Sequence, residues 1–325
     1  MKKGLVFGKF MPLHTGHLAL INFALQHCDH LYIIICYTDK EPIDGIIRKQ
    51  WLYELFENKS HVTLVSFQYD DNELPNTSVS SRHDSELWAR AFKSLVPDAT
   101  IVFTSEDYGD YLADYMGLKH YIFDKSRSIV PVSATEIRET PFLYWNYIAD
   151  EAKSWFVKKI TLAGTKSTGK SVLTERLAKY FNTSFVPEMG REIIEKTNEC
   201  TPADLYKIAD IHAKAIQSKI STANKLLFVD TDLIITKSYS QFLFGKELIV
   251  ESWIEEVNKF DLYLFMEPDC EFIQDGTRLS ANERNALSDH HKVFFEKAGV
   301  HVFSINGDWD ERYKQAVHTV EQIFF

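Results

Sequence analysis

Cysteine is scarce in this 325-residue chain, and long apolar runs are absent. Its four cysteines, Cys28, Cys36, Cys200 and Cys270, are scattered, so they form neither a disulfide framework nor a Cys-x-x-Cys site. No apolar run approaches the roughly 20 residues that a membrane span needs. A strand pattern begins almost at Met1, which leaves no room for a signal peptide. We therefore expect a cytoplasmic protein that does not bind membranes.

Positive charge is also in short supply. Lys and Arg number 36 against 46 Asp and Glu, which gives a net charge of −10. Proteins that bind nucleic acid broadly use Lys and Arg to neutralise phosphates, so the sequence argues against a nucleic-acid partner. A local positive site for one nucleotide remains compatible with this balance, and so does a homo-oligomer.

Strand-like apolar runs alternate with helical patterns along the whole chain. The length suffices for about two domains. The alternation predicts α/β domains with mainly parallel sheets, which bind ligands at the carboxyl ends of their strands. We place the domains at 1–152 and 153–325, with the junction between 148 and 157. The predicted strands are 5–7, 31–36, 62–67, 101–105 and 121–123 in the first half, and 160–163, 226–229, 262–266 and 302–305 in the second.

One glycine-rich string has the pattern G-x-x-x-x-G-K-[ST]. It follows the strand-like run 159–163 and precedes a helical pattern over 172–180, which is the context that a P-loop requires. Converging backbone N–H groups and a helix N-terminus favour phosphate there. Lys170 is expected at the β- and γ-phosphates of ATP, and Ser171 at Mg²⁺. An ordinary Gly/Ser-rich turn is the alternative. The string reads Gly164, Thr165, Lys166, Ser167, Thr168, Gly169, Lys170 and Ser171.

A second strand-to-helix turn, near the start of the chain, carries two histidines. His14 and His17 are three residues apart, so they share one side of a helix that has begun. Gly16 permits a ligand to approach the backbone closely. Two imidazoles at a helix N-terminus suit a polyphosphate, whereas a zinc site would need better-spaced ligands than those over 27–30. Two surface histidines are the alternative. The turn reads Gly8, Lys9, Phe10, Met11, Pro12, Leu13, His14, Thr15, Gly16 and His17.

A third string, over 133–138, has the spacing of a helix cap. Ser133 and Glu136 predict a capping box, which places Thr135 and Arg138 at a helix N-terminus, where anions are favoured. Taken alone, the string is equally compatible with a plain cap and an exposed arginine.

The second half carries further acids and bases at strand ends. Asp230 and Asp232 follow the run 226–229, at the place where a P-loop kinase holds its Mg²⁺ shell. We assign Asp230 to the metal and Asp232 to the substrate. Glu188 follows another strand end, where it can bind an acceptor ribose or take its hydroxyl proton, and Arg191 can clamp phosphate.

Two later arginines have the setting of a kinase lid. Arg278 ends an Asp-Gly-Thr-Arg string and Arg284 an Asn-Glu-Arg string, and lid arginines close on the transferring phosphoryl group. A solvated charged loop is the alternative.

The histidine turn resembles the G-x-F-x-P-x-H-x-G-H signature of the HIGH-type nucleotidyltransferases, and the string over 133–138 resembles their second signature, I-S-S-T-x-x-R. These enzymes join a nucleoside monophosphate to a phosphate-bearing acceptor. The resemblance implies a Rossmann-like first domain in which His14, His17 and Arg138 bind the ATP phosphates, with Thr135 near them. The other implied nucleotide-binding positions are Gly8, Lys9, Phe10, Gly16 and Ser133.

In order and content the whole chain resembles the NadR-type bifunctional enzymes. Further marks are the strings over 141–145 and 188–192. The resemblance implies a nicotinamide mononucleotide adenylyltransferase domain followed by a P-loop ribosylnicotinamide kinase domain. The resemblance implies ATP as the co-substrate, used together with Mg²⁺. It implies ribosylnicotinamide and nicotinamide mononucleotide as the acceptors, and NAD as the final product. An aromatic side chain should stack on the flat nicotinamide ring. We choose Trp88, although a tryptophan on a helix more often fills a core.

Some members of that family carry an N-terminal helix-turn-helix that represses transcription. Here the strand pattern starts too near Met1 to leave room for one, so we do not expect regulation through DNA. Two other functions stay open: another nucleotidyltransferase–kinase fusion with a different acceptor, and a nucleotide sensor whose P-loop gates a partner. Glu188, Asp230 and Asp232 favour catalysis, because a sensor can do without an acceptor base.

Overall fold

The computed structural model describes residues 1–75, 81–193, 200–270 and 280–325, apart from the side chains of Arg191, Glu192 and Ala281. The chain divides into two compact units, Met1–Trp155 (unit 1) and Phe156–Phe325 (unit 2). The described part of each unit contains one five-stranded sheet.

The sheet of unit 1 is entirely parallel. Its strands are β1 (Lys3–Gly8), β2 (His30–Tyr37), β3 (Val62–Gln68), β4 (Ile101–Thr104) and β5 (Lys119–Ile122). Their spatial order is β3-β2-β1-β4-β5, so the strand order reverses at β1. The crevice outside the carboxyl ends of β1 and β4 is the switch point at which such sheets bind ligands. Continuous apolar runs, with Leu5, Ile33 and Val102 fully buried, are typical of parallel strands covered by helices.

The helices of unit 1 follow its strands in alternation. They are α1 (Thr15–His27), α2 (Gly45–Phe56), α3 (Arg82–Leu95), α4 (Tyr108–Met116), α5 (Ala134–Glu139) and α6 (Asp150–Phe156), with a 3₁₀ turn at Trp145–Tyr147. Helix α5 is only six residues long. Thr140 precedes Pro141, and the residue before a proline is disfavoured in helical conformation, which explains the early end.

The sheet of unit 2 is also parallel. Its strands are β6 (Lys158–Ala163), β7 (Phe185–Val186), β8 (Leu226–Asp230), β9 (Leu262–Met266) and β10 (Phe303–Ile305). The order β10-β9-β6-β8-β7 places β6 at the centre. Every residue of β8 and β9 is buried. The helices are α7 (Lys170–Tyr180), α8 (Gly190–Ile193), α9 (Pro202–Ile220), α10 (Leu233–Phe244), α11 (Ser252–Val257), α12 (Ala281–Lys297) and α13 (Trp309–Phe324).

The predicted α/β class with mainly parallel sheets is confirmed in both units. The strand expected at 121–123 begins earlier, at Lys119, because its pairing with β4 starts at Ile101. Within the four described ranges, no helix has both the length and the apolar character that crossing a membrane would require.

Candidate active sites

The turn after β1 folds around its own side chains. Phe10 is buried with a positive φ of 49°. His14 is the N-cap of α1, and its Nδ1 accepts a hydrogen bond from the Gly16 backbone N–H at 3.0 Å. A Cβ on residue 16 would lie 2.8 Å from His14 Cε1. The absence of a Cβ at Gly16 therefore leaves room for the imidazole in its capping position. This packing requirement is a reason for glycine at residue 16 in addition to the predicted close approach of a ligand.

The two histidines of this turn form a buried pair. Their ring centroids are 3.8 Å apart, and the Phe10 ring lies edge-on to His17 at 5.0 Å. Burial, followed by the positive charge of Arg127, lowers the pKa of His14 to about 4. Burial and the neighbouring His14 hold the pKa of His17 well below its usual value. Both rings are therefore neutral at pH 7. Because His14 Nδ1 accepts the bond from Gly16, the His14 proton is assigned to Nε2, which can donate to an anion.

A cavity of about 330 Å³ opens beside the histidine pair. The histidine turn, the end of β4, the loop after β5 and the start of α5 form its wall. The residues predicted from the sequence that lie in this wall are Gly8, His14, Gly16, His17, Ser133 and Thr135. Two strings more than 100 residues apart in sequence thus meet at one cavity, at the switch point of the sheet.

Arg138 connects the same two strings. It donates from Nη1 to the Met11 backbone carbonyl and from Nη2 to Thr135 Oγ1 at 3.0 Å. The predicted capping box of Ser133 and Glu136 is confirmed. Arg138 fixes the first turn of α5 against the histidine turn, and its guanidinium lies next to the cavity residue Thr135.

Arg127 is a basic wall residue that the sequence motifs do not mark. It has a positive φ of 52°, lines the cavity and lies 3.6 Å from Glu106. Its loop is held by Asp124, whose carboxylate accepts backbone N–H bonds from Ser128 and Ile129 at 2.8 and 3.0 Å. No periodicity or motif in the sequence marks Arg127 as a site residue, because it comes close to the histidines only through the conformation of this loop.

Lys9 contacts an ion pair and does not line the cavity. Its Nζ lies 2.6 Å from Glu41 Oε1, and Glu41 also pairs with the fully buried Arg48 at 2.5 Å. Arg48 donates to the Lys9 backbone carbonyl at 2.7 Å. Arg48, which the motifs also miss, therefore holds the histidine turn against α2. The assignments of Lys9 and Phe10 to nucleotide binding stay predictions.

Trp88 is half-buried on α3 and packs against the core of unit 1. Its Nε1 donates to the Pro75 carbonyl at 3.2 Å, and its ring lies 4.9 Å from Tyr69. It is not in the wall of the described cavity. The core-filling role is visible in these contacts, and stacking on nicotinamide stays a prediction.

In unit 2 the predicted P-loop joins β6 to α7 and depends on two glycines. Gly164 and Gly169 have φ values of +132° and +83°. Lys170 is buried, and its Nζ donates to the carbonyls of Gly164 and Thr165 at 2.9 Å each. Thr168 Oγ1 closes the loop by donating to Thr165 O at 2.9 Å. The lysine side chain thus lies across the loop. A bound phosphate would replace the two carbonyls as the hydrogen-bond acceptor of Lys170 Nζ.

Two residues of α13 support this loop, and sequence reasoning missed both. Arg312 is fully buried and donates to the carbonyls of Thr168 at 3.1 Å and Glu267 at 3.0 Å. A Cβ at Gly169 would lie 2.0 Å from Trp309 Cζ3, so the tryptophan closes that side of the loop. In the sequence, the only signal for this support is that Arg312 is a charged residue on a helix face whose other positions have the pattern of a buried face.

Asp230 ends β8 next to the P-loop. It is fully buried, and its Oδ2 has no hydrogen-bond partner in the described structure. Burial raises the pKa of Asp230, while the Lys170 charge and a hydrogen bond from Ser171 oppose the rise and the charge of Glu188 adds to it. Three predicted site residues, Lys170, Ser171 and Glu188, therefore act on this one carboxylate.

A second cavity, of about 60 Å³, lies between Glu188 and the end of β8. Its polar wall residues include Lys166, Glu188, Asp230 and His212, and most of the remainder is apolar, with Leu205, Ile208, Ile235 and Leu243 among the members. His212 was not predicted as a site residue. Its sequence signal is weak, because a histidine on an amphipathic helix usually packs in a core.

Asp232 has a structural role in addition to the predicted one. It is the N-cap of α10, where its Oδ1 accepts a hydrogen bond from Ile235 N at 2.8 Å. Burial raises its pKa to about 7. It does not line the described cavity, and its assignment to the substrate stays a prediction.

The three predicted arginines of unit 2 are only partly described. Arg284 is buried at the start of α12 and donates from Nη2 to the Pro268 carbonyl at 2.7 Å. The Arg191 side chain and the whole of Arg278 lie outside the described residues. The lid and the phosphate clamp therefore stay predictions.

The two units define a class of protein, an ATP-using nucleotide enzyme, and each unit carries a strand-to-helix turn that the sequence predicts to bind phosphate. A family model described as an AAA domain matches residues 159–312. The trifunctional NAD biosynthesis/regulator protein NadR of Salmonella typhimurium is 30% identical over 347 residues, which cover 98% of this chain and 83% of that protein.

Two solved structures share the fold over nearly the whole chain. NadR protein in complex with NR has a TM-score of 0.80 and 23% identity, covering 99% of this chain and 96% of that one. NadR protein in complex with NAD and AMP-PNP has a TM-score of 0.77 and 23% identity, covering 99% and 95%. The chain belongs to the NadR family, as its motifs predicted.

Proposed function

We propose that unit 2 phosphorylates ribosylnicotinamide and that unit 1 joins the resulting nicotinamide mononucleotide to the adenylyl group of ATP, giving NAD and pyrophosphate. The observation that carries the proposal is the position of the two turns that we predict to bind phosphate, each at the carboxyl end of a central parallel strand and each beside a cavity of its own unit. The relative from Salmonella typhimurium is named for NAD biosynthesis, and the solved NadR structures contain NR, or NAD with AMP-PNP. Both activities follow from that family.

In unit 2 the ribose 5′-hydroxyl attacks the γ-phosphorus of ATP, and ADP leaves. Glu188, which lies in the wall of the second cavity together with Asp230, accepts the hydroxyl proton. Lys170 leaves the two loop carbonyls and compensates the charge on the transferring group. The reaction requires no covalent enzyme intermediate, since positioning and charge stabilisation are sufficient.

Ser171 and Asp230 fit a Mg²⁺ ion. They offer one hydroxyl and one carboxylate whose Oδ2 has no hydrogen-bond partner among the described residues, and Mg²⁺ in kinase sites takes one or two protein ligands together with phosphates and water. When bound, the ion neutralises charge on the β- and γ-phosphates.

In unit 1 the phosphate of nicotinamide mononucleotide attacks the α-phosphorus of ATP. The neutral His14 presents Nε2–H at the cavity, so it donates to a phosphate oxygen without carrying a charge. Arg127 supplies positive charge in the wall of this cavity, and the Arg138 guanidinium supplies it next to Thr135 at the start of α5. Preorganised donors of this kind stabilise charge that develops in the transition state.

The test is an assay of the purified chain with Mg-ATP and a panel of acceptors, following NAD and pyrophosphate. We expect ribosylnicotinamide and nicotinamide mononucleotide to be the best acceptors, and a different preferred acceptor would refute the proposal. Lys170→Ala should abolish phosphorylation and leave adenylyl transfer from supplied nicotinamide mononucleotide, because Lys170 lies in unit 2, where its Nζ donates to the P-loop carbonyls of Gly164 and Thr165. Equal loss of both activities in folded protein would contradict independent sites. The cytoplasmic location and a homo-oligomeric state remain predictions.

A further inference from the structure

Three polar side chains outside the predicted motifs form a hydrogen-bonded chain next to the cavity beside the histidine pair (the first cavity). Thr104, the last residue of β4, is buried and lies in the wall of this cavity. Its Oγ1 lies 2.8 Å from His120 Nε2, and His120 Nδ1 lies 2.7 Å from Asp110 Oδ1. The His120 side chain on β5 is 8% exposed, whereas the Asp110 side chain on α4 is 69% exposed. The chain of hydrogen bonds thus runs from solvent to the cavity wall.

The first turn of α4 leaves room for this chain because residue 109 is a glycine. A Cβ on Gly109 would lie 2.3 Å from Thr104 Oγ1 and 2.3 Å from His120 Nε2. Gly109 does not have a positive φ, so its backbone conformation gives no reason for glycine. The contact between Thr104 and His120 gives one, because any larger residue would push the two side chains apart or displace α4.

The number of protons decides which of these hydrogen bonds can coexist. The Asp110 carboxylate can only accept, so His120 Nδ1 donates to it. The Thr104 hydroxyl has one proton, and its Oγ1 lies 2.9 Å from the Glu106 backbone carbonyl, to which it can donate. Thr104 can make this bond and the His120 bond together only if His120 Nε2 also carries a proton. A neutral His120 instead accepts the Thr104 proton, and the Glu106 carbonyl then loses the bond from Thr104.

The segment after β4 belongs to the same cavity wall and is linked to the loop after β5. Ser105 and Glu106 line the cavity, and the Glu106 carboxylate lies 3.6 Å from the Arg127 guanidinium. A second ion pair, between Asp107 and Lys125 at 2.6 Å, joins the same two loops. These two pairs are the charges on the loops that flank the histidine, and the carboxylate of α4 is the charge in contact with its ring. The conformation of the segment therefore sets where one wall of the cavity lies.

We propose that His120 is a positioning residue for adenylyl transfer: through Thr104 it holds the wall segment 105–106 in the conformation that binds ATP. The proposal rests on the adenylyl transfer that we assign to unit 1. Asp110 orients the ring and stabilises its charged form. The charged ring makes every bond of the chain and fixes the wall, whereas the neutral ring frees the Glu106 carbonyl from Thr104. We expect the KM for ATP to rise about tenfold when that bond is lost, the scale of one hydrogen bond.

Two replacements of the histidine separate positioning from packing. His120→Asn keeps an amide near the Nδ1 position for the bond to Asp110 and loses the bond to Thr104. His120→Gln places an amide N–H near the Nε2 position, where it donates to Thr104 and does not titrate, and it loses the bond to Asp110. A residue that only packs β5 against α4 would tolerate Asn better than Gln, whereas a residue that positions Thr104 would tolerate Gln better than Asn.

Two further changes test the threonine and provide a matched control. Thr104→Val removes the hydroxyl and keeps the shape of the side chain, and Thr104→Ser restores the hydroxyl. His30 offers the control, because its Nε2 lies 2.9 Å from Thr63 Oγ1 on the neighbouring strand and it is not in the described wall of the first cavity. His30→Asn therefore removes a histidine–threonine bond of the same kind without touching the wall.

The experiment measures kcat and KM for ATP in adenylyl transfer to nicotinamide mononucleotide between about pH 5 and pH 8, the range in which histidine changes charge. Comparison with the wild type at each pH cancels the titration of the substrate phosphates. His120→Asn and Thr104→Val should raise the KM about tenfold at the acid end and approach the wild type at the alkaline end. His120→Gln and Thr104→Ser should lose less, and His120→Gln should lack the part of the pH dependence that the wild type owes to the ring.

Controls and a direct readout accompany the kinetics. His30→Asn should follow the wild type at every pH, and kinase turnover should be unchanged in every variant because the changes lie in unit 1. Urea unfolding shows that each variant is folded. In ¹⁵N NMR of the wild type, both ring nitrogens of His120 should carry a proton at the acid end and only Nδ1 at the alkaline end.

Three results overturn the inference. One is a folded Thr104→Val with the wild-type KM for ATP at every pH. Another is a His120→Gln that keeps the full pH dependence of the wild type or loses more activity than His120→Asn. The third is an NMR spectrum in which the neutral ring carries its proton on Nε2, which would contradict the hydrogen-bonded chain without any assay of activity. A wild type that makes no NAD from nicotinamide mononucleotide would instead refute the adenylyl transfer assigned to unit 1.

Discussion

Replacing Gly164 by alanine should damage unit 2 for two separate reasons. The residue has a φ of +132°, and an added Cβ would lie 2.7 Å from the Met266 backbone carbonyl oxygen on β9. Backbone strain of this kind costs about 1 to 3 kcal/mol, and pushing β6 away from β9 adds about 1 to 3 kcal/mol of overpacking. We expect the free energy of unfolding of unit 2 to fall by about 2 to 6 kcal/mol.

The same substitution should weaken ATP binding, because the Gly164 carbonyl is one of the two groups that hold Lys170. Urea unfolding gives the stability, and titration calorimetry with Mg-ATP together with kinase turnover gives the functional effect. Gly299→Ala is the matched control, since Gly299 has a φ of +67° with no atom within 4 Å of an added Cβ. It should show strain alone, about 1 to 2 kcal/mol, with normal kinase turnover. The reasoning is refuted if Gly164→Ala is no more destabilising than the control and binds ATP normally.

His17→Ala should lower adenylyl transfer by about a hundredfold, the scale of one lost contact to developing phosphate charge, with kinase turnover unchanged; near wild-type NAD formation would remove His17 from the site. Arg127→Ala should also slow adenylyl transfer and should raise the pKa of His14, as NMR titration would show, and an unmoved pKa would contradict the charge effect. Glu188→Gln should keep Mg-ATP affinity and lose most kinase turnover, whereas Asp230→Asn should also weaken metal-dependent ATP binding; the reverse pattern would exchange their roles. On acidification, the unfolded chain binds a proton at residue 14 near pH 6.5 and the folded chain only near pH 4, so His14 alone should lower the free energy of unfolding of unit 1 by about 3 kcal/mol between these values. The lowered pKa of His17 should add to this fall, and urea unfolding at pH 7, 5 and 4 would show no such fall if the two rings were exposed.

Both of the strand-to-helix turns that we predict to bind phosphate could be located in the sequence, because each is one contiguous string. The conformation of a P-loop is specified locally, by glycines at fixed positions between a strand and a helix, and the same holds for the capping box of Ser133 and Glu136. The alternation of apolar runs likewise predicts a parallel α/β fold. In each of these patterns, the information that specifies the local structure lies within about ten consecutive residues.

The supporting residues could not be predicted, because their roles depend on chain segments far apart in sequence. Arg312 holds the carbonyl of Thr168, 144 residues earlier, and Arg48 holds that of Lys9, 39 residues earlier. Each is a buried arginine on a helix, where the sequence pattern shows only a charged residue of unknown orientation. Arg127 reaches its cavity through a loop whose shape the sequence pattern does not indicate.

Asp230 and Asp232 show how one turn residue gives a side chain a role that strand alternation does not predict. Residues i and i+2 of a strand point to the same side of the sheet, so the sequence places both carboxylates at the site. In the structure β8 ends at Asp230, and Thr231 has a positive φ of 74°, which turns the chain before Asp232. Asp230 therefore lines the cavity, and its buried Oδ2 has no hydrogen-bond partner among the described residues, while Asp232 begins α10 by accepting the Ile235 N–H bond. The left-handed conformation of Thr231 thus gives Asp232 a helix-capping role, while the assignments of Asp230 to the metal and of Asp232 to the substrate stay predictions.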